Sequence, residues 1–272
     1  MARRVVLASL GGALIVGTAA ACSRTGGANP SASGEGNGAA APTASPTART
    51  TTPPVRHARV AARHEPAHKA GETGHSAPAQ PEYYIHDGPM TVALTIDDGP
   101  SPVYTPQVLQ VLEKHGIHAT FSMVGKNVAY YPQVAREVAH AGHLIANHTW
   151  SHANLPALHP AAMREEVTRA AVEIHAATGQ RPSLFRAPYG AWSPALLEYC
   201  AGQGLTPLDW SVDPQDWARP GVSAIVQNIL HNTHTGSIIL EHDGGGDRSQ
   251  TVAALKIVLP QLLDQGFRFR LA

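Results

Sequence analysis

Short apolar runs alternate with amphipathic stretches along the chain from about residue 82 to its end. The runs have the length of buried strands, and the stretches repeat their apolar residues at helical spacing. The predicted strands are Thr91–Ile96, Ala119–Met123, Leu144–Asn147, Ser183–Arg186, Thr206–Val212, Ser237–Glu241 and Phe267–Leu271. The predicted helices are Thr105–His115, Pro132–Ala141, Ala161–Thr178, Pro194–Gln203, Val222–His231 and Thr251–Gln265. Glycine follows five of these six helices, as helix C-termini prefer.

The strict alternation of strands and helices is typical of a parallel sheet with right-handed crossovers. A segment of about 190 residues suits an α/β barrel with one unit fewer than the usual eight, or an open doubly wound sheet. In both architectures the reactive side chains collect beyond the carboxyl ends of the strands. The strand ends are therefore the place to look for chemistry.

Residues 1–22 have the pattern of an export signal. Two arginines precede the apolar run Val5–Val16, which is too short to span a bilayer as an ordinary helix, and small residues follow it. The small residues before Cys22 resemble the lipobox of bacterial lipoproteins, although Ala19 stands where a larger aliphatic residue is usual. We therefore expect an exported, extracellular protein. Lipidation of Cys22 would anchor it to the outer face of the membrane, and plain cleavage at an Ala-x-Ala site is the alternative.

Residues 23–80 consist mainly of Ala, Gly, Ser, Thr, Pro and His, and Val55 and Val60 are their only larger aliphatic residues. Such a segment buries too little apolar surface to offset its chain entropy, so we predict a flexible linker. Its histidines are irregularly spaced and fit solvated residues. The pattern thus divides the chain into a signal (1–22), a linker (23–80) and a folded α/β domain (81–272).

Overall charge argues against nucleic acid as a partner. Twenty Lys and Arg balance twenty Asp and Glu, so no global positive field attracts a phosphate backbone. Two cysteines make neither a disulfide framework nor a thiolate zinc site by themselves. Sixteen histidines, in contrast, are many for this length, and histidine is the commonest metal ligand.

Ionisable side chains end or follow five of the seven predicted strands. They are Asp97 and Asp98, His148 and His152, Arg186 with the nearby Tyr189, Asp213, and His242 with Asp243. Because parallel strands present their carboxyl ends at one edge, we expect these side chains to share one site.

Two of these groups suggest a metal centre. Adjacent carboxylates at a strand end, as in Asp97 and Asp98, repel each other unless a cation neutralises one of them, which leaves its neighbour free to act as a base. The four-residue spacing of His148 and His152 brings two imidazoles to one face of a helical turn. With a carboxylate they form a His₂Asp set that leaves metal positions open, as catalytic zinc requires. Taken singly, either group also fits an ordinary turn or surface pair.

The remaining groups complete a candidate active site. Arg186 is a permanent cation that can hold a carboxylate ionised and oriented. Asp213 and Trp217 supply a carboxylate and a large aromatic ring, which is a usual floor for a sugar. His242 ends the sixth strand, where a neighbouring carboxylate would keep it protonated. Each of these residues alone also fits a structural role, so only their combination indicates an active site.

Together the segments resemble the polysaccharide deacetylases, the NodB-homology domain of carbohydrate esterase family 4. Five motifs follow the family's order over roughly residues 88–272. They are Thr95-Ile96-Asp97-Asp98-Gly99-Pro100, His148-Thr149-Trp150-Ser151-His152, Arg186-Ala187-Pro188-Tyr189-Gly190, Asp213-Pro214-Gln215-Asp216-Trp217 and Leu240-Glu241-His242. The chain departs from the family at Ile96, where Phe is usual, and at Glu241, where an apolar residue is frequent. The resemblance implies a distorted, TIM-like (β/α)7 barrel.

The resemblance also implies roles for single residues. Asp98, His148 and His152 would hold a divalent metal ion, usually Zn²⁺ with Co²⁺ tolerated. Asp97 would be the general base, oriented by Arg186.

Other residues would act on the acetyl group and the leaving group. The backbone N–H of Tyr189 would help to hold the oxyanion, and Trp217 and Leu240 would shape the acetyl pocket. His242 would protonate the departing amine, and Asp213 would hold His242 charged.

These roles predict a deacetylase for N-acetylglucosamine in a cell-surface polysaccharide, with peptidoglycan favoured and chitin-like oligomers next. Two alternatives stay open. The same groups would cleave O-acetyl esters of xylan, and a non-catalytic wall protein would bind glycan with the same fold. The second alternative would be expected to have lost Asp97, His242 or a metal ligand. We expect a monomer that contacts a membrane only through the lipid on Cys22.

Overall fold

The computed structural model describes residues 80–272, in which parallel strands alternate with α-helices. The strands are β1 (Thr91–Asp97), β2 (Thr120–Met123), β3 (Leu144–Asn147), β4 (Leu184–Phe185), β5 (Thr206–Pro207), β6 (Ile238–His242) and β7 (Arg268–Arg270). The α-helices are α1 (Thr105–His115), α2 (Gly125–Tyr130), α3 (Pro132–His140), α4 (Pro160–Thr178), α5 (Pro194–Gln203), α6 (Val222–Asn232) and α7 (Ser249–Asp264). Short 3₁₀ helices lie at Leu155–Ala157, Pro188–Gly190 and Asp216–Ala218.

The sheet runs in the order β5-β4-β3-β2-β1-β6, and β7 pairs with the first residues of β1. Its two ends meet through the chain that follows β5. Val212 donates to the carbonyl of Ile238 at 3.1 Å and accepts from the N–H of Leu240 at 2.9 Å. The sheet thus curves back on itself, and the prediction of a distorted, parallel α/β barrel is confirmed.

An arm before β1 reinforces this junction. The N–H of Glu82 donates to Pro207 at 2.9 Å, and the Glu82 carbonyl accepts from Asp209 at 2.8 Å. Three residues later, the N–H of Ile85 donates to Gly236 at 2.8 Å. The arm therefore bridges the end of β5 and the turn that leads into β6.

Alternation along the strands sorts side chains between the two faces of the sheet. Val92, Leu94 and Ile96 of β1 belong to the core cluster that includes Leu112 of α1 and Leu255 of α7. Ala93 instead packs in a smaller cluster with Ala146, Leu184, Leu208 and Ile238. The same alternation aims Asp97 to the inner face, at the carboxyl end of the barrel.

The observed elements differ from the predicted ones at two places. The prediction of a strand over Thr206–Val212 is wrong beyond Pro207. After Pro207 the chain leaves its pairing with β4 and forms hydrogen bonds with β6, which closes the barrel. Helix α2 was not predicted, because it is only six residues long and begins with glycine, a poor helix former. The other boundaries agree within two residues.

Within the described residues, no helix is long and apolar enough to cross a membrane. The predicted export signal (1–22), including Cys22, and the linker (23–80, except its last residue) lie outside these residues, so both stay predictions. Cys200 of α5 is a free thiol, and it is fully buried.

Candidate active site

A cleft of about 370 Å³ opens at the carboxyl ends of the strands. It is lined by Asp97, Asp98, His148, His152, Ala187, Tyr189, Trp210, Asp213, Trp217, Leu240 and His242. The structure therefore brings nine of the predicted site residues into one cavity. A tenth, Arg186, lies fully buried behind Asp97.

Asp97 is held by the buried guanidinium of Arg186. The Nη1 atom of Arg186 donates to Oδ1 of Asp97 at 2.8 Å and to Oγ1 of Thr95 at 2.7 Å. Nη2 donates to the carbonyl of Asp209 at 2.8 Å. Because these acceptors fix the plane of the guanidinium, Arg186 fixes one oxygen of Asp97 and leaves the other, Oδ2, facing His148 at 3.8 Å.

Asp98, His148 and His152 form the one cluster within residues 80–272 with the spacing of a metal site. Their candidate ligand atoms all lie within 4.8 Å of one another. Oδ1 of Asp98 is 3.5 Å from Nε2 of His148 and 3.1 Å from Nε2 of His152. The same oxygen is buried without a hydrogen-bond donor, as expected of an atom that ligates a cation.

The second ring nitrogen of each histidine is already engaged. Nδ1 of His148 lies 2.8 Å from the carbonyl oxygen of Arg186, which only accepts, so Nδ1 carries a proton and Nε2 is the ring nitrogen that faces Asp98. Nδ1 of His152 lies 3.3 Å from the hydroxyl of Tyr189. Such outer partners fix the orientation of metal-ligating imidazoles.

The charge of Asp98 also suits a metal ligand. Burial by itself raises the pKa of this carboxyl, but the neighbouring imidazoles of His148, His242 and His152 hold it well below its ordinary value. Asp98 is therefore an anion in a partly buried position.

The backbone conformation orients the candidate metal ligands. Asp98, Thr149 and His152 have positive φ angles of 73°, 67° and 59°, which non-glycine residues adopt rarely. The N–H of Thr149 donates to the side chain of Asn147 at 2.9 Å, and Ser151 donates to the Glu166 carboxylate from both its N–H and its hydroxyl. The positive φ angles turn the chain sharply at the metal-site residues, and these hydrogen bonds hold the loop from His148 to His152 in place.

Tyr189 forms one wall of the cleft. Its ring is 68% exposed and packs edge-on against His152, with centroids 4.7 Å apart. Its φ of 64° turns the backbone, and within the described residues its N–H has no backbone acceptor, whereas the N–H groups of Gly190 and Ala191 do. The backbone N–H of Tyr189 is thus available to a ligand.

His242 also lines the cleft, next to Asp97 on the neighbouring strand, and is paired with Asp216. Its Nδ1 is 2.7 Å from Oδ1 of Asp216, and its backbone N–H donates to Oδ2 at 3.0 Å. The hydroxyl of Thr251 donates to the same Oδ2 at 2.6 Å. Burial lowers the pKa of His242, but the hydrogen bond and charge of Asp216 outweigh it and raise that pKa to about 9.

This pairing corrects the sequence prediction for Asp213. Asp213 lines the cleft, but its carboxylate accepts from the N–H of Gln215 at 2.8 Å and caps the turn that carries Asp216 inward. Asp216 is only 1% exposed, and it is the residue that holds His242 charged. Both aspartates belong to the same five-residue motif, so sequence spacing did not distinguish them.

Sequence reasoning also missed Trp210 and Asp209. Trp210 lines the cleft, and its ring lies under Gly190, where an added Cβ would come within 3.1 Å of it. Asp209 accepts from Nε1 of Trp192 at 2.8 Å, while its carbonyl accepts from Arg186. Both residues fall inside the predicted strand Thr206–Val212, where a regular strand gave no signal for a turn into the site.

Comparison with known proteins identifies similar chains. Residues 85–208 match the family described as "Polysaccharide deacetylase". A chitooligosaccharide deacetylase of Bradyrhizobium sp. (strain ANU 289) is 44% identical over 192 residues, which are 66% of this chain and 88% of that protein.

Solved structures are similar to this chain as well. The Bc1960 peptidoglycan N-acetylglucosamine deacetylase superposes with a TM-score of 0.68 at 34% identity, over 70% of this chain and 89% of that one. A family 4 carbohydrate esterase pseudoenzyme of Bacillus anthracis, BA3943, superposes with a TM-score of 0.67 at 28% identity, over 72% and 68% of the two chains.

Proposed function

This chain belongs to the polysaccharide deacetylase family, and on that premise we propose that it hydrolyses the N-acetyl groups of N-acetylglucosamine residues in a cell-surface polysaccharide. The presence of two proton-transfer groups and a His₂Asp cluster in one cavity carries the proposal. Asp97 and His242 end the neighbouring strands β1 and β6, where they are register partners, and both line the cavity that also contains Asp98, His148 and His152.

The Asp98–His148–His152 cluster fits a divalent metal ion. One carboxylate oxygen without a donor and two imidazole Nε2 atoms that face it are ligands that Zn²⁺ accepts, and three protein ligands leave positions open. We propose Zn²⁺, with Co²⁺ as a functional substitute. When bound, the ion would polarise the acetyl carbonyl and make water a stronger acid.

Asp97 is proposed as the general base. Its Oδ1 accepts from Arg186, and its Oδ2 faces the cluster, where it can accept a proton from the attacking water. Arg186 is always charged and makes three further contacts, so it holds the carboxylate in one orientation. Well-placed bases of this kind contribute a factor of roughly 10² to 10⁴ in rate.

His242 is proposed as the general acid that protonates the departing amine. With a pKa of about 9 it is protonated at neutral pH, and Asp216 keeps both its proton and its orientation. The free N–H of Tyr189 would donate to the oxyanion, and Trp217 and Leu240 would enclose the acetyl methyl group.

The proposed substrate class is peptidoglycan, with chitin-like oligomers second. The exposed rings of Tyr189 and Trp217, which are 68% and 52% accessible, flank the cleft and suit a sugar chain that lies across it. The similar proteins named for peptidoglycan and chitooligosaccharides support this class.

Acetate release tests the proposal directly. The purified full-length chain, loaded with Zn²⁺, is incubated with peptidoglycan, chitin oligomers and acetylated xylan, with and without a chelator. We expect chelator-sensitive release from the N-acetylated glycans. No release from any substrate would refute a deacetylase, and release from xylan alone would identify an O-acetyl esterase.

A non-catalytic glycan-binding protein is the second candidate function. The similarity of this fold to that of a pseudoenzyme supports it. Asp97→Asn separates the two candidates. A deacetylase loses acetate release but keeps glycan binding in this variant, whereas a binding protein shows no release before or after the change.

We also propose that residues 1–22 export the protein and that a lipid on Cys22 anchors it outside the cell. The basic start, the short apolar run and the small residues before Cys22 support this proposal. Incorporation of a labelled lipid precursor that disappears in Cys22→Ala would support anchoring. Incorporation in neither protein would leave a freely secreted enzyme.

A further inference from the structure

Glu241 is a buried acid outside the substrate cleft. It follows Leu240 and precedes His242 on β6, and strand alternation turns it to the opposite face of the sheet from both. The residue is 0% exposed, and both of its carboxyl oxygens lie buried without a hydrogen-bond donor among the described residues. A buried ionised carboxylate without donors is strongly unfavourable, so this position calls for an explanation.

The carboxyl group of Asp216 is the charged group that acts most strongly on Glu241. Its Oδ2 lies 3.0 Å from the backbone nitrogen of His242, the residue that directly follows Glu241, and the charges of Asp213 and Arg248 act on Glu241 more weakly. On the other edge of β6, the residue opposite Glu241 in β1 is Ile96, which carries no charge. Among the charged groups that act on Glu241, Asp216 is therefore the strongest.

The two carboxyl groups differ in the donors that they receive. Asp216 accepts from Nδ1 and the backbone N–H of His242 and from the hydroxyl of Thr251, whereas Glu241 accepts from none. Two adjacent buried carboxylates do not both ionise, and the one with donors keeps the charge. Burial and the charge of Asp216 accordingly raise the pKa of Glu241 well above its ordinary value, while that of Asp216 is lowered.

We propose that Glu241 is a protonated positioning residue that donates its carboxyl proton to Asp216 and so completes a buried Glu241–Asp216–His242 relay behind the cleft. This inference rests on the proposed function for the role of His242 as an acid. The hydrogen bond from Glu241 reduces the negative charge on the carboxylate of Asp216. Asp216 therefore attracts the proton of His242 less strongly. His242 thereby becomes a stronger acid, and its pKa lies closer to the pH at which it donates its proton.

The protonation state of Glu241 is tested without any substrate. Infrared difference spectra of the full-length chain at neutral pH compare the natural protein with Glu241→Gln. We expect the C=O stretch of a protonated carboxyl group in the natural protein, lost in the variant. A carboxylate stretch in its place would overturn the proposal.

The effect on His242 has a sign that separates the two protonation states. NMR titration follows the His242 imidazole in the ¹³C-histidine-labelled, Zn²⁺-loaded chain, with the signal assigned by its loss in His242→Gln. Glu241→Gln keeps a neutral donor and should leave the pKa of His242 nearly unchanged. Glu241→Leu removes the donor and should raise that pKa by roughly half a unit to one unit.

Other outcomes contradict the relay. A lower pKa of His242 in both variants would mean that each removed a negative charge, so that Glu241 is ionised. No change in Glu241→Leu would mean that Glu241 and His242 are not coupled. Thr233→Val is the matched control, because it removes another buried, unpartnered oxygen at the C-terminus of α6 and should not move the His242 pKa.

Kinetics provide the functional readout. Glu241→Leu should lower kcat roughly three- to tenfold at neutral pH with KM unchanged, and Glu241→Gln should restore it. If Glu241→Leu fails to fold, the infrared and NMR results on Glu241→Gln still decide the proposal. A protein that releases no acetate but shows the protonated Glu241 would refute the proposed function and leave the relay standing.

Discussion

The Nδ1 atom of His242 lies 2.7 Å from Oδ1 of Asp216, and this pair connects the wall of the cleft to the buried side of β6. Asp216 is reached by a turn that Asp213 caps, so the two carboxylates of one motif have different tasks. One points into the cleft, and the other is buried behind the proposed acid.

Asp216→Asn should lower kcat roughly 10²- to 10³-fold with little change in KM, because the imidazole of His242 loses both its charge partner and its orientation. Asp213→Asn is the comparison, and it should cost less than about tenfold since Asp213 does not contact His242. Acetate-release kinetics measure both. Equal losses in the two variants would restore Asp213 as the partner of His242.

Activity should fall as pH rises through about 9, because His242 then loses the proton that it donates. In Asp216→Asn the same limb should move to lower pH, since burial lowers the pKa of an unpartnered imidazole. The pH profile of kcat locates both limbs. An alkaline limb at the same pH in both proteins would assign the titration to another group.

The stability of the fold should also depend on the protonation of His242. The pKa of His242 is raised from about 6.5 in the unfolded chain to about 9, so its contribution is complete below pH 6.5 and is lost as pH rises through 9. The Tm difference between the natural protein and Asp216→Asn should therefore shrink from pH 6 to pH 10. Thermal scans across this range measure it, and a difference that grows with pH would contradict the assignment.

Arg186→Met should destabilise the protein by roughly 3–5 kcal/mol, because it leaves the buried carboxylate of Asp97 without its cation. Arg219→Met removes the exposed partner of Asp247 and should cost no more than about 1 kcal/mol. Denaturant unfolding gives both values. Similar losses would show that burial does not set the strength of the Arg186 pair.

Tyr189→Phe should weaken Zn²⁺ binding by up to about tenfold, since the hydroxyl near Nδ1 of His152 is an outer partner of a proposed ligand. His152→Ala should weaken it much further by removing the ligand itself. Calorimetric titration of the metal-free chain with Zn²⁺ compares them. Equal affinities in all three proteins would exclude His152 as a ligand.

Gly244→Ala should destabilise the protein and weaken Zn²⁺ binding, because its Cβ would overlap the backbone carbonyl of Asp98. Gly202→Ala in α5 is the control, with open space around the added methyl group, and should stabilise by roughly 0.5–1 kcal/mol. Unfolding curves and Zn²⁺ titrations distinguish the two. A Gly244→Ala protein with full metal affinity would mean that this contact does not position Asp98.

Several parts of this architecture followed from sequence because they depend on local rules. Helix ends at Gly116 and Gly204 adopt the left-handed conformation that glycine accepts easily, and the apolar run of β1 reflects burial on both faces. The closure of the barrel at Val212 did not follow. It depends on a change of hydrogen-bond partner between strands that are far apart in the chain.

The sequence by itself determined the alternating α/β pattern, the order of the five motifs and the residue types of the cleft, because these follow from side-chain chemistry and from the fixed periods of strands and helices. Only the tertiary structure decided that Asp216 rather than Asp213 holds His242, that Arg186 lies buried behind Asp97, and that Glu241 lies beside Asp216. Distances between side chains on different elements depend on how the elements pack. A turn of three residues separates the partly buried carboxylate of Asp213 from the fully buried one of Asp216.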